Sequence, residues 1–129
     1  MVTPMRHSQR ATLRQMPADA QLVDRVRAAL ADAGEISERR MFGGVAFLSS
    51  GNMVCAVVGG RLLLRLGTDG TEAALREPHT RPMDFTGRPA RGAIFVEPPG
   101  CATDPALRAW VERALGFAAT LPPKRAGRN

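Results

Sequence analysis

Cys55, Cys101, His7 and His79 are the residues of this chain that could support nucleophilic chemistry. A cysteine nucleophile needs a base beside it. His7 lies in an N-terminal stretch without apolar periodicity, which leaves His79. Cys55 sits inside an apolar run, where burial raises a thiol's pKa and makes it inert. Cys101, between Pro98 and Thr103, reads as the accessible thiol, so Cys101–His79 is the one pair to consider. A plain surface thiol is the simpler reading. A metal site needs three or four converging ligands. His79, Asp84, Cys55 and Cys101 are the sparse candidates, and none has CxxC or i,i+3 spacing. Asp84 and Glu97 fall on or beside neighbouring strands, with Arg81, Arg88 and Arg91 close in sequence. Ion pairing is the expected use of these carboxylates.

Glycine pairs raise the question of a phosphate cradle, which needs glycines leading into a helix with a Lys and a hydroxyl. Gly43-Gly44 falls in a strand region and Gly59-Gly60 in a hairpin. Gly43-Gly44 instead suits a bulge or a close backbone approach. Gly67-Thr68-Asp69-Gly70 does precede a helix, but Asp69 would repel an anion there. The chain therefore reads as non-enzymatic, with no metal and no cofactor.

What remains is arginine. Residues 39–65 hold Arg39, Arg40, Arg61 and Arg65 and no acid. Such a patch suits an acidic protein partner or a polyanion. Solvated edge charges that deter strand-to-strand aggregation are the plainer alternative. The interleaved aromatics of a single-strand nucleic-acid site are missing, since only Phe42 and Phe47 lie nearby.

The charge balance narrows this further. The 129 residues carry a net charge of +6, with 17 Arg to one Lys. Residues 1–17 contribute +3 through Arg6, Arg10 and Arg14, and residues 122–129 another +3 through Lys124, Arg125 and Arg128. Residues 18–121 hold 12 Arg against 12 acids and are neutral. A basic body would point to nucleic acid; here only the ends are basic, and they add weak, salt-sensitive attraction to phosphate. No apolar run reaches the ~18 residues of a membrane span, and no apolar h-region marks a secretory signal. The expected location is the cytoplasm, with both cysteines as free thiols.

These residues must be positioned by a small set of elements. Residues 1–17 read as a flexible basic arm, 18–121 as one domain and 122–129 as a disordered basic tail. Leu22, Val23, Val26, Ala29, Leu30 and Ala33 form one apolar stripe, predicting a helix over 18–33 with Asp19 at its start and Gly34 after it. Gly51-Asn52 and Gly59-Gly60 mark two tight turns, so three strands form a meander over roughly 39–49, 52–58 and 61–66. A short helix, Thr71 to Glu77, is stopped by Pro78. Arg81 to Phe85 and Ala93 to Val96 are two further strands. Asp104-Pro105, a capping acid before a proline, starts the last helix, whose stripe runs from Leu107 through Trp110, Val111 and Ala114 to Leu121.

The order α-β-β-β-α-β-β-α predicts an α+β two-layer sandwich on a five-stranded antiparallel sheet. The strand Met53 to Val58 is apolar on both faces. It asks for cover on both sides. A homodimer through Met53, Cys55 and Val57 would supply the second cover; helices wrapping both faces within one chain would do so too.

Arg39-Arg40-Met41-Phe42-Gly43-Gly44, with Phe47, Gly51 and Met53 after it, resembles the N-terminal domain of the TfoX/Sxy family. Met83-Asp84-Phe85, Val96-Glu97-Pro98 and the closing helix Leu107 to Leu121 are similar to its later segments. The likeness spans roughly 18–121. It implies a secretion-chaperone-like α+β fold and a single-domain member without the C-terminal helical domain of longer relatives, which regulate natural competence genes in bacteria. It supplies no catalytic residues. The expected function is a cytoplasmic binding or regulatory module, homodimeric and acting through protein contacts. The alternative is a nucleic-acid-associated transcriptional regulator that uses the arginine patch and the basic ends.

Overall fold

Asp19 starts the first helix. Its carboxylate accepts hydrogen bonds from the backbone N–H of Gln21 at 2.9 Å and of Leu22 at 3.3 Å, satisfying donors that a helix start leaves unpaired. The computed structural model describes residues 18–41, 43–83 and 92–124. Helix α1 spans Ala20–Ala29 and buries Leu22, Val23 and Val26. Strands β1 (Ile36–Met41), β2 (Gly44–Ser49), β3 (Asn52–Val58) and β4 (Arg61–Arg65) follow. Then come α2 (Gly67–Ala74), β5 (Thr80–Pro82), β6 (Ala93–Val96), a 3-10 turn at Pro98–Cys101 and α3 (Asp104–Ala118).

The sheet has six strands in the order β1-β2-β3-β4-β6-β5, and every neighbouring pair is antiparallel. The expected count was five. The difference lies at the predicted strand 39–49, which is two strands. Arg39 pairs with Ala46, Arg40 with Val45 and Met41 with Gly44 across a tight turn. Gly43 takes φ +75° there, the left-handed backbone a glycine adopts without penalty. Gly44 is a close approach: a Cβ on it would overlap the Val57 carbonyl oxygen.

Several boundaries move for local reasons. The first helix stops at Ala29 and continues as turns to Gly34, which takes φ +88°. The second begins at Gly67 and ends before Pro78, at Ala74. The cap of α3 is Thr103, whose hydroxyl accepts from Ala106 N–H at 3.2 Å. Asp104 sits in the first turn instead and holds the Arg25 guanidinium at 3.0 Å. Residues 122–124 are tied down, since Lys124 N–H donates to Ser50 O at 2.6 Å and Asn52 Nδ2 to Pro122 O at 2.9 Å. The expected arm 1–17 and the end of the tail, 125–129, lie outside the described residues, as do Phe42, Asp84, Phe85, Arg88 and Arg91.

Buried residues fall into two clusters, one on each face of the sheet. The first joins all three helices to the sheet through Val26, Phe47, Leu62, Leu64, Val111 and their neighbours. The second contains no helical residue: Ala46, Leu48, Ala56, Leu63, Ala93 and Phe95, with Met41, Met53, Val58 and Met83 packed around them. Helices on one face of an antiparallel sheet make the α+β two-layer arrangement. Among the described residues, no helix is long and apolar enough to cross a membrane.

Candidate partner-binding face

The second face is where the predicted arginines converge. Side chains alternate along a strand, so Arg61 and Arg65 flank Leu63 on β4 on the side of the second cluster. Arg39 pairs with Ala46 and lies on the same side. Arg40 does not. It is level with Val45 on the helix side and lines a separate cleft with Val23, Asp24 and Arg27. Three of the four expected arginines thus share one face.

A fourth arginine on that face was predicted only as an ion-pair partner. Arg81 pairs in register with Phe95, and its guanidinium reaches Glu97 at 3.1 Å. Arg61 approaches the same carboxylate at 3.8 Å and lies 4.0 Å from the centroid of the Phe95 ring. That stacking shields the ring, which is 2% exposed. The expected ion pairing of Glu97 is therefore present, with Arg61 and Arg81 as partners. Arg39 and Arg65 have no ion pair among the described residues. The face thus combines two guanidinium groups without an ion pair among the described residues, a shared Arg61–Glu97–Arg81 cluster, and the half-buried side chains of Met41, Met53, Met83 and Val58.

The expected dimer face is split between the two sides. Cys55 and Val57 belong to the helix-covered cluster and are fully buried, whereas Met53 is on the opposite face. The cause is a register shift: Phe47 pairs with Cys55, but Leu48 pairs with Met53, so Val54 is an extra residue in β3. The premise for a second copy also changes. Ala46, Ala56 and Leu63 are already at 0% exposure in the single chain, so their burial makes no demand for a partner.

Among the described residues, the sparse chemical groups are not assembled. Cys101 is 2% exposed, contrary to the accessible thiol expected from its loop position. The 3-10 turn folds it inward, and its thiol donates to Glu97 O at 3.8 Å. Burial, the main cause, pushes its pKa up, and pushes that of Cys55 to about 12. His79 takes φ +66° and packs against Gly100; among the described residues it makes no hydrogen bond to Cys101. No group of three or more His, Cys, Asp or Glu side chains among them could hold a metal ion.

Comparison with known proteins adds one match. A family model described as the TfoX N-terminal domain matches residues 28–118. No curated protein and no solved structure matches the chain.

Proposed function

The chain belongs to the TfoX N-terminal domain family, and on that premise we propose that it is a non-enzymatic regulatory module that binds another protein on the sheet face opposite its helices. One observation carries this reading: Arg39 and Arg65, both without ion pairs among the described residues, stand beside half-buried methionines on that face. Methionines make an adaptable contact surface, and unpaired guanidinium groups select carboxylates. The partner that fits is a protein segment with apolar residues flanked by Asp or Glu. A second copy of the chain fits less well, because apposed faces bring like charges together. Nucleic acid also fits less well, because Glu97 already partners Arg61 and Arg81 and the described body is not basic overall.

The test is cross-linked capture from the native host with the full chain and with an Arg39→Glu/Arg65→Glu double variant. A protein held by the wild type and lost by the folded double variant supports the reading. Identical capture by both overturns it. Two companion measurements separate the alternatives. A mobility shift of duplex DNA that survives physiological salt would replace the protein-binding reading with a nucleic-acid one. A sedimenting dimer that the double variant abolishes would make the second copy the occupant.

A further inference from the structure

A cleft of about 390 Å³ opens where the last turn of α3 meets the start of α2 and the end of the arginine-bearing face. Its volume falls in the range that takes small molecules. The apolar wall is Phe117, Met53 and Ala93. The polar wall is Arg65 and Thr68. Gly67 and Gly92 form the remaining side and offer only backbone.

The backbone there is held in place. Gly92 O accepts from both Leu66 N–H at 2.8 Å and Gly67 N–H at 3.1 Å. Gly67 takes φ +78° and Gly92 φ +91°, so both positions favour glycine. A Cβ on Gly67 would lie 2.5 Å from Phe117 Cε1. The absence of a side chain is what lets the Phe117 ring close against the chain at the wall of the cleft.

The polar groups have unused capacity. The Arg65 guanidinium lies 5.7 Å from the Phe117 ring centroid and has no ion pair among the described residues. The Thr68 hydroxyl makes no hydrogen bond among them either. No acid is among the described residues of the wall; Asp69 is next in sequence, but it is exposed and outside the wall, so solvent and salt screen the repulsion of an anion that the sequence alone suggests. We infer that this cleft binds a small organic anion, with a carboxylate or phosphate on the Arg65 fork and the Thr68 hydroxyl, and an aromatic body against Phe117 and Met53. A planar guanidinium suits either oxyanion, and Phe117 and Met53 both favour ring contacts. The inference does not depend on a protein partner.

Amide NMR on the full chain tests it. The probes are phenyl phosphate and phenylacetate, with inorganic phosphate as an anion without a ring and benzyl alcohol as a ring without an anion. The expected result is a saturable shift of the Gly67, Thr68 and Gly92 amides by one or both aromatic anions, at several-fold lower concentration than by either control. Which of the two binds tighter assigns the oxyanion. Arg65→Gln should weaken binding about 10-fold, the cost of one charge-assisted contact. Thr68→Val should weaken it by a smaller factor and serves in place of Arg65→Gln should that variant not fold. Arg40→Gln, outside the cleft, should leave it unchanged. The inference fails if none of the three amides shifts saturably, if the controls bind as well as the aromatic anions, or if the folded cleft variants bind as the wild type does.

Discussion

Met53 and Cys55, two residues apart on β3, point to opposite faces of the sheet. Unbroken alternation would place them together. The extra residue opposite the Phe47–Leu48 step reverses the phase, so Val54 and Cys55 both enter the helix-covered cluster. Met53 is left on the arginine-bearing face, beside the cleft with Arg65. A single inserted residue thus decides which side chains build the core and which build the surface proposed for partners.

Gly44 holds the strand next to this bulge, and it leaves no room for a side chain. A Cβ there would overlap the Val57 carbonyl oxygen, a backbone atom in the centre of the sheet. Gly44→Ala should therefore destabilise the chain by about 3 kcal/mol, the upper part of the usual overpacking range. Gly116→Ala is the control, because a Cβ at that helical position meets nothing within 4 Å, and it should stabilise by roughly 0.5–1 kcal/mol. Denaturant midpoints of the two variants check the contrast; equal midpoints would show that the β2–β3 approach is looser than described.

The helices were legible in sequence because their apolar residues recur at helical spacing: Leu22, Val23 and Val26 in α1, and Leu107, Trp110, Val111 and Ala114 in α3, are all buried. Strand β1 was not legible. Ser37, Glu38, Arg39 and Arg40 are all exposed, so the strand has no apolar alternation to announce it. Its presence depends on pairing with β2, a tertiary effect that local preference does not encode. The bulge was hidden for the opposite reason. Met53 to Val58 is apolar throughout, and a uniform run carries no phase. In the candidate site, the alternation Arg61-Leu63-Arg65 can be read from the sequence, but which of Arg39 and Arg40 shares that face depends on the pairing of β1 with β2. A strand was expected from Arg81 to Phe85, but β5 is Thr80–Pro82, and Arg81 joins the face through its register with Phe95, which the sequence does not encode.

Thr71 offers a cleaner energetic test. It is 7% exposed, and its hydroxyl has no hydrogen-bond partner among the described residues. Burying an unpaired hydroxyl costs about 1–3 kcal/mol, whereas an apolar group of the same shape avoids that cost. Thr71→Val keeps the shape and should raise stability by about 1 kcal/mol. Thr71→Ser keeps the hydroxyl, loses a methyl and should lower it. A destabilised valine variant would mean that the hydroxyl has a partner in solution.

Both thiols should be silent in the folded chain. Cys55 is 0% exposed with its pKa pushed to about 12, and Cys101 is 2% exposed with its pKa raised. Only the thiolate attacks a disulfide reagent, so at mildly alkaline pH neither cysteine should react until the chain is unfolded, when both should react together. Rapid modification of Cys101 alone in the native chain would return it to the surface.

Glu38 contributes to the acid limb of stability. Its carboxylate accepts from Arg27 Nε at 2.6 Å and from Arg27 Nη2 at 2.9 Å, joining the edge strand β1 to α1. The hydrogen bonds from Arg27, more than charge alone, hold its pKa below the usual carboxylate range. The unfolded chain therefore binds a proton at Glu38 more readily than the folded one. The pair's contribution is present in full above the unfolded carboxylate pKa and is lost as pH falls from there through the lowered folded value. Arg27 stays protonated throughout. With the Glu38 side chain 34% exposed, solvent and salt screen the pair, and its effect is modest. Glu38→Gln should lower Tm at neutral pH and low salt. The deficit should shrink as pH falls through that window, and shrink again in high salt. A deficit that stays constant as pH falls from neutral through the carboxylate range would mean that packing of the side chain, and not its charge, joins β1 to the helix.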